Sequence, residues 1–336
     1  MHDLRSADLK TILHSKRANI YYLEHCRVLV NGGRVEYVTE AGKESLYWNI
    51  PIANTTSVLL GTGTSITQAA VRELAKAGVL LGFCGGGGTP LFAAMEAPQE
   101  VTWLQPQSEY RPGEYLQNWV RFWFDDQLRL SAAKSFQRAR LERIRQHWSR
   151  SRTLKDQQFS VDATLLEHLL GEALAGLDHA IDHTDLLTQE ARLTKQLYRL
   201  AAQTTRYGDF TRAKRGESAD TANQFLDHGN YLAYGMGATA TWVLGLPHSL
   251  AVLHGKTRRG GLVFDVADLV KDAVILPLAF ISAMRGDTEQ EFRQACIDAL
   301  THSESLDFMI DTLKATALSI GQIAARQRTA APQADA

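Results

Sequence analysis

Hydrophobic and polar positions in the first part of the chain, from about residue 19 to residue 94, follow the pattern of β-strands. The segment IYYLEHCRVLVNGGRVEYV places β-branched and aromatic residues on both sides of the Asn-Gly-Gly triplet at 31–33, which predicts a hairpin. The alternating segment SLYWNIPI and the apolar runs SVLLG and VLLGF predict further strands. Between these two runs, TSITQAAVRELAKAG predicts one helix, capped by Thr64 or Ser65 and ending at Gly78.

The pattern changes after APQEVTWLQPQSEYRPGEY, where three of the eight prolines lie close together and indicate a linker. Long segments with a helical period follow, such as TLLEHLLGEALAGLDHAIDH and DLLTQEARLTKQLYRLAAQ. We therefore predict an α+β fold, in which a small β-rich N-terminal domain at residues 1–100 precedes a large all-helical domain at residues 101–336.

Composition and charge exclude some classes of protein. The net charge of −1 and the pI near 6.8 give no global attraction to nucleic acid or to an anionic membrane, so a polyanion must bind a local basic patch. Three widely separated cysteines, Cys26, Cys84 and Cys296, favour neither a disulfide framework nor a CxxC metal site. No apolar run approaches the ~18 residues of a membrane span, and we expect a cytoplasmic protein.

Three carboxylates interrupt the apolar run LVFDVADLVKD. On a helix, Asp265, Asp268 and Asp272 fall within roughly 60° of one another and repel, unless water, a cation or a basic partner compensates. Two interpretations stay open. Asp265 is a helix N-cap with Asp268 near the positive end of the helix dipole, or the aspartates bind a metal ion.

A histidine lies close to these aspartates along the chain. His254 ends PHSLAVLHG, for which Pro247 and Gly255 predict a short helix. The glycine-rich turn after it can return His254 to Asp265 and Asp268. Because one imidazole and two carboxylates leave a hard divalent cation short of ligands, a further acid is needed.

The further acid is expected on another helix. Glu190, in TQEARLTKQLYRLAA, is a natural candidate. Sequence alone does not distinguish it from Glu167 or Glu172.

Two basic segments suggest how a polyanion would bind. Residues 129–155 contain nine Lys and Arg residues against the single acidic Glu142, which indicates either a solvated helix or a surface for a phosphodiester backbone, with Trp148 available for stacking. A second cluster, between His254 and Asp265, suits an anionic substrate bound through a metal. This cluster consists of Lys256, Arg258 and Arg259.

Together these motifs resemble the CRISPR-associated integrase of the spacer-acquisition complex. The resemblance rests on Glu190 with Tyr198 eight residues later, on His254-Gly255 after a proline-led segment, and on LVFDVADLVK. It covers the whole chain. The stretches HSKRANIYYLEHCRVLVNGGRVEYV and YWNIPIANTTSVLLGTGTSITQAA resemble the type I-F subgroup.

The resemblance implies a metal-dependent DNA endonuclease and integrase. Mn²⁺ or Mg²⁺ would be held by Glu190, His254 and Asp268, with Asp265 as a further catalytic aspartate. A 3′-hydroxyl of a short DNA fragment would attack a phosphodiester at a CRISPR repeat by transesterification, or water would attack in a nuclease reaction. Asp272 has no counterpart and is expected to face solvent. Position suggests six DNA-binding residues: Lys195, Tyr198, Arg199, Lys256, Arg258 and Arg259.

The resemblance also implies partners. These are double-stranded DNA, a second copy in a homodimer formed through the β-rich domain, and a small ferredoxin-fold protein fused to the interference helicase-nuclease. Two other functions stay open. Asp265-x-x-Asp268 also suits a magnesium-dependent all-helical diphosphate synthase, and the basic segment at 129–155 also suits a non-catalytic nucleic-acid scaffold.

Overall fold

A computed structural model describes residues 19–41, 44–83, 102–104, 113–213, 220–255 and 260–330. The chain divides into two compact units, residues 1–110 with 301–307 and residues 111–300 with 308–336. A small β-rich N-terminal region is followed by a mainly helical part, which confirms the predicted fold class. Within the described ranges, no helix combines the length and the apolar character that crossing a membrane requires.

The strands that the structure describes in the N-terminal region form two four-stranded sheets. They are β1 (Asn19–Leu23), β2 (Arg27–Asn31), β3 (Arg34–Ala41), β4 (Glu44–Asn49), β5 (Thr55–Leu60), β6 (Ser65–Ile66), β7 (Leu80–Phe83) and β8 (Thr102–Leu104). One sheet has the order β1-β5-β7-β8, with parallel pairs up to β7 and an antiparallel β8. The other has the order β4-β3-β2-β6, in which β4 and β6 are the edge strands.

The predicted hairpin joins β2 and β3. Asn31 pairs with Arg34, so Gly32 and Gly33 alone form the turn. Their φ angles are +54° and +78°. Two successive residues with positive φ define the tight turn that matches strand twist, and glycine adopts this conformation at little cost. The local sequence therefore determines the hairpin.

Helix α1 (Gln68–Lys76) begins later than the sequence predicted. Its N-cap is Thr67, whose Oγ1 accepts a hydrogen bond from the Ala70 amide at 3.3 Å. Thr64 instead donates to the Gly61 carbonyl at 2.7 Å, and Ser65 lies in β6. The predicted cap was wrong because pairing with β2 keeps this segment extended for two more residues.

The remaining described helices lie C-terminal to β8. They are α2 (Gly113–Trp123), α3 (Asp126–Arg150), α4 (Arg152–Asp156), α5 (Ala163–His179), α6 (His183–Thr205), α7 (Thr221–Val243), α8 (Gly261–Val270), α9 (Leu276–Arg285), α10 (Glu289–His302) and α11 (Ser305–Ala330). A π-helical segment, Lys271–Ile275, joins α8 to α9. Such single-turn π segments occur frequently at functional sites.

The long helix α3 is not the uniformly solvated basic helix that one interpretation described. It buries Phe136, Arg140, Ile144 and Trp148, which are spaced four residues apart and share one face. The indole Nε1 of Trp148 donates to the backbone carbonyl of Asp272 at 3.0 Å. Trp148 is therefore a core residue, and the prediction that it could stack on DNA was wrong.

Candidate metal centre

Asp265, on α8, organises the loop that carries His254. Its Oδ2 accepts hydrogen bonds from the backbone N–H groups of Val252 (2.7 Å) and Leu253 (3.2 Å). Its Oδ1 accepts one from the His254 amide at 3.0 Å and lies 2.7 Å from His254 Nδ1. The side chain is only 1% exposed. One buried carboxylate thus fixes three successive backbone amides and an imidazole.

These contacts correct two sequence predictions. Residues 246–255 contain no helix, because the amides of residues 252–254 converge on one carboxylate instead of entering a helical ladder. Asp265 is not an N-cap, since α8 begins at Gly261 after Gly260. Because both oxygens of Asp265 already accept hydrogen bonds, this residue gives no support to a diphosphate site shared with Asp268.

His254 and Asp268 face each other. The Nε2 of His254 lies 3.5 Å from Oδ2 of Asp268. Since Asp265 accepts at Nδ1, that nitrogen carries the proton in the neutral ring and Nε2 presents its lone pair toward Asp268. Burial lowers the pKa of His254, but the Asp265 hydrogen bond and the nearby carboxylates outweigh burial and raise it overall.

Lys271 contacts the other oxygen of Asp268. Its ammonium group pairs with Oδ1 and lies 5.2 Å from the centre of the Tyr234 ring. Burial acts to raise the pKa of Asp268, but Lys271, His254 and Arg140 outweigh burial and lower it. No role was predicted for Lys271, although its position three residues after Asp268 places both on one helix face.

Glu190, on α6, lies at the same small cavity as Asp268. The cavity has a volume of about 50 Å³, and Arg140, Thr194 and Asp272 also line it. Glu190 Oε1 accepts hydrogen bonds from Arg140 at 2.9 Å and from Thr194 at 3.1 Å.

The structure distinguishes Glu190 from the two other candidate glutamates. Glu167 pairs with Arg145 at the surface of α5, at 3.0 Å, and its side chain is 52% exposed. Glu172 lies 3.9 Å from the exposed Arg192. Only Glu190 among these three lines the cavity with Asp268.

Asp272 is buried, so the prediction that it faces solvent was wrong. Its Oδ2 accepts from Arg140 Nε at 2.7 Å and also pairs with Arg140 Nη2. Burial raises the pKa of Asp272, and the positive charges of Arg140 and Lys271 oppose that rise. Arg140 was not predicted because the basic residues of α3 resemble one another in sequence, although Arg140 lies four residues from Phe136 and from Ile144.

The donor types fit a hard divalent cation. Two carboxylates and a neutral imidazole nitrogen are ligands for Mn²⁺ or Mg²⁺ that leave positions for phosphate oxygens. The structure brings His254 to Asp268 and places Glu190 at the cavity with Asp268. Across the described part of the chain, no three His, Cys, Asp or Glu side chains converge closely enough to hold a metal ion. Binding of one ion by all three would require these side chains to approach one another.

The predicted DNA-binding residues differ in environment. Lys195 and Arg199 are exposed and line an open groove along the outer face of α6. Tyr198 instead lines the cavity, where burial and the charge of Asp272 raise its pKa to about 12. Three of the predicted residues lie outside the described residues: Lys256, Arg258 and Arg259.

Comparison with known proteins identifies the family. The model of the family described as CRISPR associated protein Cas1 matches residues 22–297. The chain belongs to the Cas1 family. It is 71% identical over 314 residues to the CRISPR-associated endonuclease Cas1 of Pseudomonas aeruginosa, with 94% of this chain and 97% of that protein covered. It is 66% identical to the CRISPR-associated endonuclease Cas1 of Pectobacterium atrosepticum, with the same two coverages.

Solved structures share the Cas1 fold. The Cas1 protein TM1797 from Thermotoga maritima aligns with a TM-score of 0.66 at 16% identity, covering 90% of this chain and 96% of that one. A casposase bound to its integration product aligns with a TM-score of 0.62 at 12% identity, covering 94% and 92%. The TtCas1–DNA complex aligns with a TM-score of 0.60 at 20% identity, covering 89% and 91%. At these identities the likeness concerns the fold alone.

Proposed function

We propose that this Cas1 protein is a metal-dependent DNA endonuclease and integrase that joins short DNA fragments into a CRISPR array. The observation that carries the proposal is the contact of His254 with Asp268 at 3.5 Å, together with the cavity that Asp268 shares with Glu190. Curated relatives at 71% and 66% identity are named endonucleases, and a casposase of similar fold was solved with its integration product.

The proposed chemistry is transesterification. Mn²⁺ or Mg²⁺, held by Glu190, His254 and Asp268, would polarise the scissile phosphate and help to activate a DNA 3′-hydroxyl or water. Asp265 keeps His254 Nε2 directed at Asp268. On the outer face of α6, Lys195 and Arg199 would hold DNA phosphates.

The charge of the site supports this proposal. The buried cation Arg140 and the partly buried cation Lys271 together offset two of three buried or partly buried carboxylates, Glu190, Asp268 and Asp272. Among these five side chains, one negative charge remains. Because a charge in a poorly solvated site is costly without a partner, the site favours binding of a cation.

We also propose how the protein assembles and where it acts. Residues 1–100 would form the homodimer and residues 101–336 would perform catalysis, in the cytoplasm. The ferredoxin-fold partner fused to the helicase-nuclease would bridge two such dimers around double-stranded DNA. The support for a β-domain interface is β4, an edge strand exposed along its whole length.

A strand-joining assay tests the proposed function. Purified protein is mixed with a fluorescent short duplex bearing 3′-hydroxyl ends and a repeat-bearing plasmid, with and without Mn²⁺. We expect joining only with Mn²⁺, and a loss of at least about 100-fold in Glu190→Ala, His254→Ala and Asp268→Ala, because each removes a proposed ligand. Glu167→Ala is the control, since Glu167 lies at the surface of α5. If all three variants join DNA as well as the control, the proposed site is wrong.

A further inference from the structure

The candidate ligands His254 and Asp268 each use one atom to contact a supporting residue and turn another toward the partner ligand. His254 Nδ1 contacts Asp265, while Nε2 faces Asp268. Asp268 Oδ1 contacts Lys271, while Oδ2 faces His254. Residues behind a metal's ligands commonly fix ligand orientation in this way.

Glu190, on a different helix, is also held by supporting residues. The hydrogen bonds from Arg140 Nη1 (2.9 Å) and Thr194 Oγ1 (3.1 Å) both fall on Oε1. Arg140 Nη2 in turn donates to Thr194 Oγ1 at 2.7 Å. Both contacts therefore hold the Glu190 carboxylate through this one oxygen.

Two further residues, Asp272 and Gln137, also hold Arg140 in place. Its Nε and Nη2 both donate to Asp272 Oδ2, and its Nη1 also donates to Gln137 Oε1 at 3.0 Å. The side chain is 3% exposed. A planar guanidinium with its donors used in this way has little freedom to rotate.

Asp272 reaches Arg140 from the π-helical segment. This segment widens the helix between α8 and α9 and buries Asp272 opposite α3. The guanidinium therefore connects α3, α6 and the helix that carries Asp268.

On the basis of the proposed function, we propose that Arg140 is a positioning residue for Glu190 and that Asp272 is its anchor. Arg140 carries a positive charge, which by itself weakens cation binding. Its geometric effect is the opposite, because it holds Glu190 at the cavity of Asp268. We infer that the geometric effect on the affinity for the metal ion is larger than the electrostatic effect. Glu190 and Asp272 would repel each other without the guanidinium between them.

The test measures Mn²⁺ binding to the full-length protein without DNA, by electron paramagnetic resonance or calorimetry. Arg140→Lys keeps the charge but cannot reproduce the forked contacts to Asp272, Thr194 and Glu190. We expect its Kd for Mn²⁺ to rise by about 10- to 100-fold. Strand joining by this variant should recover when Mn²⁺ is raised in the same proportion.

Two further variants keep the test decisive if Arg140→Lys does not fold. Asp272→Asn weakens the anchor, and Thr194→Val removes the hydroxyl between Arg140 and Glu190. Both should raise the Kd, Thr194→Val by several-fold. Arg138→Lys is the matched control, because Arg138 is on the same helix but pairs with Asp178 at the surface. Its Kd should equal that of the wild type.

The outcomes separate this inference from the proposed function. If Glu190→Ala and Asp268→Ala bind Mn²⁺ like the wild type, the proposed metal site itself is wrong. If those two lose binding while folded Arg140→Lys or Thr194→Val binds as tightly as the wild type, or more tightly, only the positioning role of Arg140 is overturned. A lower melting temperature with an unchanged Kd also overturns it, since that is the result of a purely structural role.

Discussion

At the scale of single residues, the Asp265 carboxylate contacts three backbone amides and the His254 ring, although its side chain is almost inaccessible to solvent. Asp265→Asn puts an amide NH₂ against backbone N–H groups that need an acceptor. We expect a loss of roughly 2–4 kcal/mol in the free energy of unfolding, measured by urea denaturation. The exposed Asp298→Asn should stay within about 0.5 kcal/mol of the wild type. Equal losses in both variants would contradict the role assigned to Asp265.

We expect His147 to make the free energy of unfolding depend on pH. Burial, with a contribution from Arg143, lowers its pKa to about 4 from the ordinary 6.5. The unfolded chain therefore binds a proton below pH 6.5 that the folded chain does not bind. Stability is full above pH 6.5 and falls between pH 6.5 and about 4, by roughly 3 kcal/mol from this group.

The measurement for His147 compares urea denaturation at pH 7 and at pH 4.5. His147→Gln is expected to lose less stability over this range than the wild type, because glutamine does not titrate. An identical pH dependence in both proteins would show that His147 contributes nothing to it. The other titrating groups contribute equally to both proteins. Subtracting one loss of stability from the other therefore isolates the contribution of His147.

Residue types alone could not reveal the role of Arg140 or Asp272. The sequence does contain a signal for Arg140, since Phe136 and Ile144 flank it at four-residue spacing on the buried face of α3. Its partners Asp272 and Glu190 are 132 and 50 positions away along the chain. Contacts at such separations depend on how helices pack, which local periodicity does not determine.

At the scale of helices and strands, Gly237 sets the approach of α7 to α8. A Cβ atom at this position would lie 2.9 Å from the backbone oxygen of Val263. Gly237→Ala must therefore separate the two helices, and we expect a loss of about 1–3 kcal/mol, measured by urea denaturation. Mn²⁺ binding should also weaken, because α8 carries Asp265 and Asp268.

Gly171 provides the matched control within α5. A Cβ atom there would meet nothing within 4 Å. Gly171→Ala should stabilise the protein by roughly 0.5–1 kcal/mol, because alanine loses less backbone entropy in a helix. If Gly237→Ala were as stable as Gly171→Ala, the close packing of α7 on α8 would contribute nothing to the free energy of unfolding.

The elements that could be predicted are those determined by neighbouring residues. Gly32 and Gly33 specify the β2–β3 turn by their own conformation, and the helical period predicted the long helices. The proposed helix from Pro247 to His254 was wrong because Asp265, distant along the chain, binds the amides of that segment. A proline and a glycine at suitable spacing do not reveal such a partner.

At the scale of the whole molecule, the exposed edge strand β4 bears on self-association. Leu46, Tyr47 and Trp48 are 41%, 57% and 49% exposed, and Trp48 stacks on Tyr37 of the neighbouring strand. If the proposed homodimer uses this edge, Trp48→Lys should weaken it by at least about tenfold, because a charge at a buried interface position is costly. Sedimentation equilibrium measures the dimer dissociation constant.

The control for this experiment is Phe124→Lys. Phe124 is 75% exposed but belongs to the helical part of the chain. Its dimer dissociation constant should match that of the wild type. If Trp48→Lys has the dimer dissociation constant of the wild type, the dimer interface does not include β4.

The π-helical segment has a consequence for comparing this chain with distant relatives. The π-helical turn contains one residue more than a regular turn. Every side chain after it is therefore rotated about the helix axis by about 100° relative to its direction in a regular helix. A relative that lacks the extra residue should therefore align with a one-position gap between residues 270 and 276. An ungapped alignment across that point would match Asp268 correctly and then pair every later side chain with one on the wrong face.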